Sequence, residues 1–578
     1  MRNRTQYLGL AALSLLLAMA VPAHAQKMSY GGSDGADGGN EGDGAGDSNG
    51  DSNGNGNGNG KKHTSKHGGK RVSLTPYIEA AQIATAQLSP GHDTLTYSTL
   101  AAGLDANIQG RNTQAAASIR YERRFGYGKS TSGDTISGVA RIGTAIVPHA
   151  VNFEAGMLAA RSKIESNGSA VLGAPISDGG STQIYSAYAG PTVHTHSGNV
   201  AIDGGYRIGY TKVGNDSNIV TAPGGPPVDV FDHSTVHNAE LHAGTKAGTA
   251  LPIGVGVGAG YYQENVSNLD QKISDLHARA DVAVPIGTDL QLIGGVGYEK
   301  VQISSRDVLR DGAGNPVIGS NGRYATDTSS PRVMAYDTRG LIWDAGVMWR
   351  PSRRTALEAH VGRRYGSMTY YGSFAYAPNA RSSLNISVYD SISGFGGQLN
   401  RALAGLPTDF ETSRNPLSGE MNGCLVSLEK GNCLSGALGS VRSASFRGRG
   451  VMASYGVKLG RIQAGIGAGH DRRKFIAAPG TILASANGKT DTNTWLAGYV
   501  NARLDSRSAI STNVWASWFK SDFVGSGDGT ALGINTAYNR SISDHLSATA
   551  AVGVDGVNRS TQPDNWNASA LLGVRYSF

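Results

Sequence analysis

The feature that most constrains this chain is a two-residue alternation of apolar and polar side chains that persists from Val72 to the C-terminal Phe578. Segments of about 10–16 residues carry it, and turn-forming residues separate them. In 276–286, for example, Leu, Ala, Val and Ile share one face, and His277, Arg279 and Asp281 lie on the other. Because successive side chains of a strand point to opposite faces, the pattern predicts strands with lipid on one side and a polar lumen on the other.

The apolar face carries few bulky side chains, which distinguishes a membrane barrel from a soluble β-sandwich. The chain is 39% hydrophobic and has 82 glycines in 578 residues, whereas soluble domains are about 45–50% apolar. A sandwich must pack this face against a second sheet, whereas lipid requires no such fit. Tyr and Trp favour the membrane–water interface, and the candidates for aromatic girdles are Trp343, Trp349, Tyr365, Tyr370, Tyr371, Trp515 and Trp518.

The connections between the segments are of two kinds. Short ones such as 110–112 and 460–461 alternate with longer ones such as 307–337, as in barrels with short periplasmic turns and longer outer loops. Counting the segments predicts an all-β fold, a transmembrane antiparallel β-barrel of about 22 strands (18–22 possible), over residues 72–578. Single-chain barrels require an even number of strands, and the segments are least distinct in 355–396.

The first 25 residues predict a secretory signal peptide. Arg2 and Arg4 form a positive end, Leu8–Val21 is an apolar run, and an Ala-His-Ala sequence at 23–25 follows it. The run is shorter than the about 20 apolar residues of a membrane-spanning helix, so cleavage before Gln26 is expected. An exported chain with a barrel pattern is expected in the bacterial outer membrane.

Residues 26–71 form a tail of different composition. The first part is almost wholly Gly, Asn, Asp and Ser, and the end is a basic linker. These residues bury too little apolar surface to offset chain entropy, so a disordered tail is expected. His63 and His67 have the spacing of metal ligands on a helix, but this composition does not support a helix, and no metal site is expected.

The last strand carries the clearest local signal, because Leu572, Val574, Tyr576 and Phe578 alternate onto one face. A terminal aromatic residue preceded by apolar residues at every second position resembles the assembly signal that the outer-membrane barrel insertion machinery reads. That machinery, outer-membrane lipid and lipopolysaccharide are therefore the expected partners. The alternative is an ordinary edge strand that ends in Phe.

The polar face supplies the candidate functional residues. The predicted pore-lining set consists of charged side chains and one histidine at inward positions: Asp203, Arg207, His277, Arg279, Asp281, Glu299, Asp344, Arg503 and Asp505. Both signs of charge are present. One interpretation is a hydrated wall that salt bridges hold in shape, and the other is a pore lining for polar solutes. The two can hold together.

The longest segment without alternation is the loop at 397–442. It opens with Gln398–Leu403, which is compatible with a short helix, and it contains the two cysteines of the chain, Cys424 and Cys433. In an oxidising compartment this pair predicts one disulfide, which would constrain the loop by a few kcal/mol at most. The loop either folds into the barrel as a constriction or stays on the surface, stapled against proteolysis.

The sequence offers no convincing catalytic motif. No G-x-S-x-G elbow follows a strand, no H-E-x-x-H helix is present, and the glycine-rich run 254–260 lies inside a strand pattern. We therefore expect neither an enzyme nor a cofactor. The net charge of +7 is scattered without a basic stripe, so no nucleic-acid partner is expected.

With strand texture from Val72 to Phe578, the loop that holds Cys424 and Cys433, and a terminal aromatic residue, the chain resembles a family of outer-membrane β-barrel proteins often found with exopolysaccharide and protein-sorting gene clusters. The resemblance implies a porin-like barrel, with polysaccharide export components as further partners. Chains of this appearance are sometimes labelled preprotein translocase subunits. The translocase accessory subunit, however, is a short single-span inner-membrane protein, and this sequence has no such span.

Three functions compete. The preferred one is a porin-like channel that passes polar solutes or exported polysaccharide, and the alternative is a non-transport surface or structural barrel, adhesin-like. A TonB-dependent transporter would also use 22 strands, but it requires a folded plug domain. About 45 low-complexity residues separate the signal peptide from the first strand, which argues against that function.

Overall fold

The computed structural model describes residues 71–165, 168–172, 181–214, 229–408, 410, 414–421, 424–426, 431–434, 436–524, 526–560 and 562–578. The expected signal peptide and the tail up to residue 70 lie outside this part of the chain. Most of the described residues belong to β-strands. Among them, no helix is long and apolar enough to cross a membrane.

Twenty-two long strands, numbered in chain order, form the framework. The first eleven are β1 (Arg71–Ser89), β2 (Thr94–Gln109), β3 (Thr113–Tyr127), β4 (Gly133–Val147), β5 (Val151–Ile164), β6 (Ser181–Ser197), β7 (Val200–Val213), β8 (His233–Thr245), β9 (Gly254–Val266), β10 (Gln271–Pro285) and β11 (Leu290–Ser305). The others are β12 (Val333–Ser352), β13 (Thr355–Arg364), β14 (Ser367–Asn379), β15 (Ser382–Ser393), β16 (Phe446–Leu459), β17 (Ile462–Phe475), β18 (Thr490–Arg503), β19 (Ser508–Ser521), β20 (Gly529–Ser541), β21 (Leu546–Arg559) and β22 (Asn565–Ser577).

Each strand is antiparallel to the next, and the sheet closes because β22 pairs with β1. The closing ladder runs from Tyr77 opposite Ser577 to Ser89 opposite Trp566. A closed ring leaves no long edge of unpaired N–H and C=O groups, which lipid could not solvate. The predicted fold, a transmembrane antiparallel barrel of about 22 strands, is confirmed, including the three strands within 355–396.

The outer surface of the ring is apolar, as the alternation predicts. On β10, Leu276, Ala280 and Val282 are exposed, and Arg279 between them is buried. A closed antiparallel barrel of this size with an apolar outer surface is the architecture of outer-membrane proteins. The chain is therefore an outer-membrane barrel.

Three of the seven expected girdle residues were assigned wrongly. Trp343, Trp349, Tyr370 and Trp518 are exposed on the outer surface. Tyr371 instead stacks on His360, and Trp515 lies over Gly533 on the inner face. Parity explains both errors, because Tyr371 directly follows Tyr370 and Trp515 lies three positions before Trp518. Tyr365 is buried in the turn between β13 and β14, at a positive φ of 54°.

The two ends of the barrel differ in the length of their connections. At the end that holds Phe578, the connections span 2–8 residues. At the other end, five are longer: 165–180, 214–232, 306–332, 394–445 and 476–489. By this asymmetry the first end is periplasmic and the second is the outer end.

The longest connection, 394–445 between β15 and β16, is called the insertion below. It contains helix α1 (Phe395–Ala404), which includes the short helix expected at 398–403, and a two-stranded ribbon of Cys424–Val426 with Gly431–Cys433. Most of the described side chains of the insertion are buried. Its apolar residues join those of the neighbouring wall in the largest apolar cluster of the described residues.

The facing of β10 can be tested with matched arginine substitutions. Ala280→Arg places a charge on the lipid face and should destabilise the barrel by about 2–4 kcal/mol. Ala283→Arg, on the inner face of the same strand, should cost much less, because the lumen is polar. Urea titration of the protein folded into lipid vesicles measures both. A larger loss for Ala283→Arg would mean that the register is shifted by one residue.

The C-terminal strand can be tested in the same way. Phe578 is 65% exposed, packs edge-on against Tyr576 and donates its backbone N–H to Pro76 O on β1 (3.0 Å). Phe578→Asp should leave export intact and reduce the heat-modifiable, membrane-assembled fraction, because it removes the aromatic anchor at the interface. Ser577→Asp, at an inward position, is the control. Equal assembly of the two variants would show that the aromatic end carries no signal.

Candidate functional site

The insertion crosses the lumen. It leaves the wall at β15, and Arg414 in its middle donates hydrogen bonds to Ser118 on β3 (3.0 Å) and Ser137 on β4 (2.9 Å). In a ring of 22 strands, β4 and β15 are eleven strands apart and thus face each other across the barrel. Of the two alternatives for the 397–442 loop, folding into the barrel is therefore correct and exposure on the surface is wrong.

Helix α1 packs on the wall formed by β5–β8. Phe395, Leu399 and Leu403 are fully buried in the apolar cluster, together with Ile184 on β6 and Val213 on β7. The spacing of four residues places the three helical side chains on one face. Each such side chain contributes about 1.5–3 kcal/mol when it is fully buried, so the helix has a defined position against this wall.

Glu264 on β9 binds the N-terminus of α1. Its carboxylate accepts the backbone N–H groups of Gly394 (2.7 Å) and Gly397 (2.9 Å), which have no partner within the helix. The hydroxyls of Tyr262 (2.6 Å) and Ser234 (3.0 Å) donate to the same carboxylate, which is completely buried. The helix dipole also stabilises a negative charge at this position. A wall residue thus caps a helix that lies 130 positions further along the chain.

Glycine permits the close approach of helix and wall. A Cβ atom on Gly397 would lie 1.9 Å from the Tyr262 hydroxyl, and one on Gly209 of β7 would lie 2.1 Å from Oδ1 of Asn400. In the space above Gly209, the Asn400 amide donates to Thr211 (2.7 Å) and Ser186 (3.2 Å). Larger residues at either glycine would force the helix away from these partners.

The far end of the insertion is held by charge. Glu420 forms an ion pair with Arg161 on β5 (3.4 Å) and accepts the Arg161 backbone N–H (3.1 Å). Both side chains are almost completely buried. Removal of one partner from a buried pair typically costs about 3–5 kcal/mol. Nearby, Leu417 packs with Ala537 and Ala551, which lie on β20 and β21.

Arg473 on β17 holds the returning part of the insertion. Its guanidinium donates to the carbonyl oxygens of Ser440 (2.5 Å), Gly436 (2.8 Å) and Ala437 (2.9 Å). Its Nε donates to Asp471 on the same strand (2.8 Å). One buried arginine thus binds three carbonyl groups and fixes this part of the chain against β17.

Residues 440–443 lie at the outer end of the barrel and bond to two outer loops. The Val441 N–H donates to Gly168 O (3.0 Å), and Val441 O accepts the Phe231 N–H (2.9 Å). Arg442 pairs with Asp491 at the outer end of β18 (3.2 Å). Asp229 accepts hydrogen bonds from Ser443 and Asn268, and burial raises the pKa of this carboxyl above its usual value, although the two hydrogen bonds oppose the shift.

The two cysteines lie directly opposite each other in the ribbon of the insertion. Opposed residues of an antiparallel pair have Cα atoms about 4.5–5.5 Å apart, which is within the range that a disulfide bridges. Residues 427–430, which connect the two strands of the ribbon, lie outside the described residues. The Cys424–Cys433 disulfide therefore stays a prediction with a compatible backbone register.

Three predicted pore-lining residues lie together on the inner face of β10–β12. Arg279 bonds to Asp344 on β12 (2.9 Å), although β11 separates the two strands. It reaches across at Gly295, where a Cβ atom would lie 2.2 Å from its Nε. Asp281 pairs with His242 on β8 (3.0 Å). His360 on β13 bridges Asp344 (2.9 Å) and Glu358 (3.2 Å). This network of opposite charges is called the polar wall.

Two more predicted residues lie above the polar wall, around the inward turn of β13 and β14. Glu299 accepts the backbone N–H of Tyr365 (2.6 Å) and lies 3.4 Å from Arg364. His277 contacts Arg364 through Nδ1 (2.9 Å). The turn is thus fixed from inside the barrel, which explains why Tyr365 is not a girdle residue.

The remaining predicted residues lie apart. Asp203 pairs with His194 (2.9 Å), and the Arg207 guanidinium lies 5.3 Å from the ring centroid of Tyr188. Arg503 is the exposed last residue of β18. Asp505 was expected on the inner wall, but it lies in the turn that follows β18. Its carboxylate accepts the Arg507 backbone N–H (2.7 Å), which stabilises this turn. That hydrogen bond lowers the pKa of Asp505.

Sequence reasoning did not identify the residues that hold the insertion: Glu264, Arg161, Arg473 and Asp491. The alternation predicts that these side chains point inward. It does not predict which residues they contact, because those residues lie in a segment without periodicity. No group of three or more His, Cys, Asp or Glu residues that could hold a metal ion occurs in the described part of the chain. The arrangement provides hydrogen bonds and fixed charges, as a passage or a structural wall requires.

No family model matches the chain, and no curated protein matches it. Solved structures similar to it include the FrpB iron transporter from Neisseria meningitidis in its F5-1 apoprotein form, at 11% identity and a TM-score of 0.40, with 87% of this chain and 81% of that chain covered. The ferric-catecholate import receptor Fiu from E. coli K12 in its open form has 10% identity, a TM-score of 0.40 and the same coverage.

The copper transporter OprC is a further similar structure, at 11% identity and a TM-score of 0.34, with 87% of this chain and 80% of that chain covered. Similarities of this size do not assign a cargo or a family. The architecture of the chain follows from its own strand pairing.

The cap of α1 can be tested by Glu264→Gln, which preserves size and removes the charge. Loss of charged hydrogen bonds to the helix should cost about 1–3 kcal/mol and raise the population in which α1 has left the wall. Trypsin cleavage after Arg401 in the folded, micelle-bound barrel, followed by mass spectrometry, should then be roughly tenfold faster. The control is Glu240→Gln, because Glu240 is exposed on β8. Equal cleavage rates in the two variants would refute the capping role.

Proposed function

We propose that the chain is an outer-membrane channel for small polar solutes, and that its insertion narrows the lumen. The observation that carries the proposal is the path of the insertion from β15 to β4 and back to β16. Barrels of this strand number enclose a lumen wide enough to require a plug. An unobstructed lumen would breach the permeability barrier, and the insertion is the segment placed to prevent this.

The passage we propose lies along the polar wall on β8–β13. The anchors of the insertion lie elsewhere: on β3–β5, on β6–β9 near the outer end, and on β17, β18, β20 and β21. The side chains of the polar wall bond to one another, as in the Arg279–Asp344 and His242–Asp281 pairs. A wall of paired charges offers hydrogen bonds to a solute without strong selection for either sign of charge.

Exported polysaccharide is the second cargo class that the family resemblance suggested. A polymer occupies the lumen along its whole length during transit. The insertion would then have to leave the lumen, which requires the loss of the contacts of Glu420, Arg442 and Arg473. Small polar solutes pass beside a fixed insertion and are therefore the cargo that we favour.

The alternative is a non-transport structural barrel, favoured by the density of buried contacts around the insertion. The pairing of β15 and β16 allows a direct test, because Ser393 and Phe446 are register partners. Residues 394–445 can be replaced by a two-residue Asn-Gly turn of the kind that joins paired strands. We expect the wild-type protein to show small, discrete conductance in planar bilayers, and the excised barrel to show a several-fold larger one.

Two further arms complete this experiment. Reduction of the predicted Cys424–Cys433 disulfide should raise conductance less than excision, because the insertion would loosen without leaving. Deletion of 27–60 in the tail should leave conductance unchanged. A silent wild-type protein beside a conducting excised barrel would favour the structural alternative. Equal conductance of wild type and excised barrel would show that the insertion does not narrow the lumen.

A further inference from the structure

We propose that the outer face of β16–β19 binds the phosphate groups of lipopolysaccharide in the outer leaflet. Five basic side chains near the outer ends of these strands form the surface, called the outer cationic patch: Arg447, Arg449, Arg472, Lys474 and Lys520. This inference does not depend on transport, because the patch lies outside the ring and the insertion lies inside it.

The strand register places the basic residues side by side. Arg449 is directly opposite Arg472, and Arg472 is opposite Thr492 of β18, which in turn is opposite Lys520. One level nearer the outer end, Arg447 is opposite Lys474. Opposed residues in antiparallel strands share a face. The five side chains therefore form two adjacent rows.

The rows lie directly above the apolar belt. On β17 the outward residues are Ile462, Ala464, Ile466 and Ala468, followed by His470, Arg472 and Lys474, all on the same face. The change from apolar to basic side chains occurs at the same height on three strands. Val451, His470 and the exposed Trp518 form the row directly below Arg472. A tryptophan at this level is typical of the membrane–water interface.

The height of the patch agrees with the thickness of an outer membrane. At about 3.3 Å per residue and a tilt of about 40°, a strand climbs roughly 2.5 Å per residue. Arg472 thus lies about 25 Å above Ile462 at the inner end of β17, which equals the height of the apolar band of such barrels, about 25 Å. The patch therefore lies where the head groups of the outer leaflet begin.

Charge on the patch is only partly compensated by the protein. The buried carboxylate of Asp390 on β15 accepts hydrogen bonds from both Arg447 (2.7 Å) and Arg449 (3.0 Å). Among the ion pairs of the described residues, none includes Arg472, Lys474 or Lys520. Asp522, two residues after Lys520, is exposed and joins none of these pairs either.

Adjacent like charges are unfavourable in a sheet unless an anion lies between them. The anion must come from the surroundings, and its position identifies it. Side chains on the outer face, above a tryptophan and an apolar belt, meet lipid head groups rather than a soluble partner. Arg and Lys bind phosphate through charge-assisted hydrogen bonds. Phosphorylated lipid A carries two such groups, and two rows of cations can bind both.

The test is native mass spectrometry of the folded full-length barrel in detergent, with diphosphoryl lipid A as the probe. The patch variant is Arg472→Gln/Lys474→Gln/Lys520→Gln, and it should bind lipid A on the order of tenfold more weakly than the wild type. The matched control is Lys212→Gln/Lys272→Gln/Lys300→Gln. It removes the same charge from β7, β10 and β11 near the outer end and should bind within about twofold of the wild type.

Three outcomes would overturn the proposal: equal binding by the patch variant, an equal loss in the control variant, or displacement of lipid A by millimolar inorganic phosphate. The second would indicate dependence on net charge alone, and the third a site for any phosphate. The wild type should bind monophosphoryl lipid A more weakly than diphosphoryl lipid A. The patch variant should not distinguish the two forms. Heat-modifiable mobility verifies that each variant is folded. If the triple variant does not fold, the single variants Arg472→Gln and Lys520→Gln are tested for lipid A binding instead.

Discussion

The pairing of β22 with β1 is the constraint on which the rest of the structure depends. In lipid, every backbone N–H and C=O must find a partner within the protein, so a sheet can cross only as a closed ring. Here closure takes 22 strands, and that number fixes the width of the lumen. A wide lumen in a membrane that serves as a barrier must be narrowed. The insertion between β15 and β16 is therefore a consequence of ring size as much as of loop length.

The chemistry that holds the insertion follows from the alternation that builds the ring. Inward positions are polar because lipid takes the apolar ones, so a segment that enters the lumen meets mainly polar side chains and glycine. Its contacts are accordingly the Glu264 cap, the Arg161–Glu420 pair and the carbonyl contacts of Arg473. Apolar packing is concentrated under α1, where Ile184 and Val213 also point inward. Buried charges with directional partners favour one docked position over many.

Features that depend on neighbouring residues could be predicted from the sequence. Features that depend on residues far apart in the chain could not. Strands and their facing are local, so the alternation located all 22 strands and the outward side of β10. The errors came where residue type was used without parity, as at Tyr371 and Trp515. The path of the insertion is not encoded locally, because Arg161 and Glu420 are 259 positions apart. Only the folded ring brings them together, and the irregular sequence around Glu420 gives no register from which to predict the pair.

The backbone pairing of the ring does not depend on the position of the insertion. Ser393 and Phe446 stay paired at the outer ends of β15 and β16, so the ladder is continuous whether or not the insertion lies in the lumen. Departure of the insertion would break the buried pairs of Glu420 and Arg442 together with the cap on Glu264. Because these contacts must break together, thermal motion seldom moves the insertion out of the lumen. A solute that passes beside the docked insertion meets no such barrier, which is the physical reason to place the passage along the polar wall.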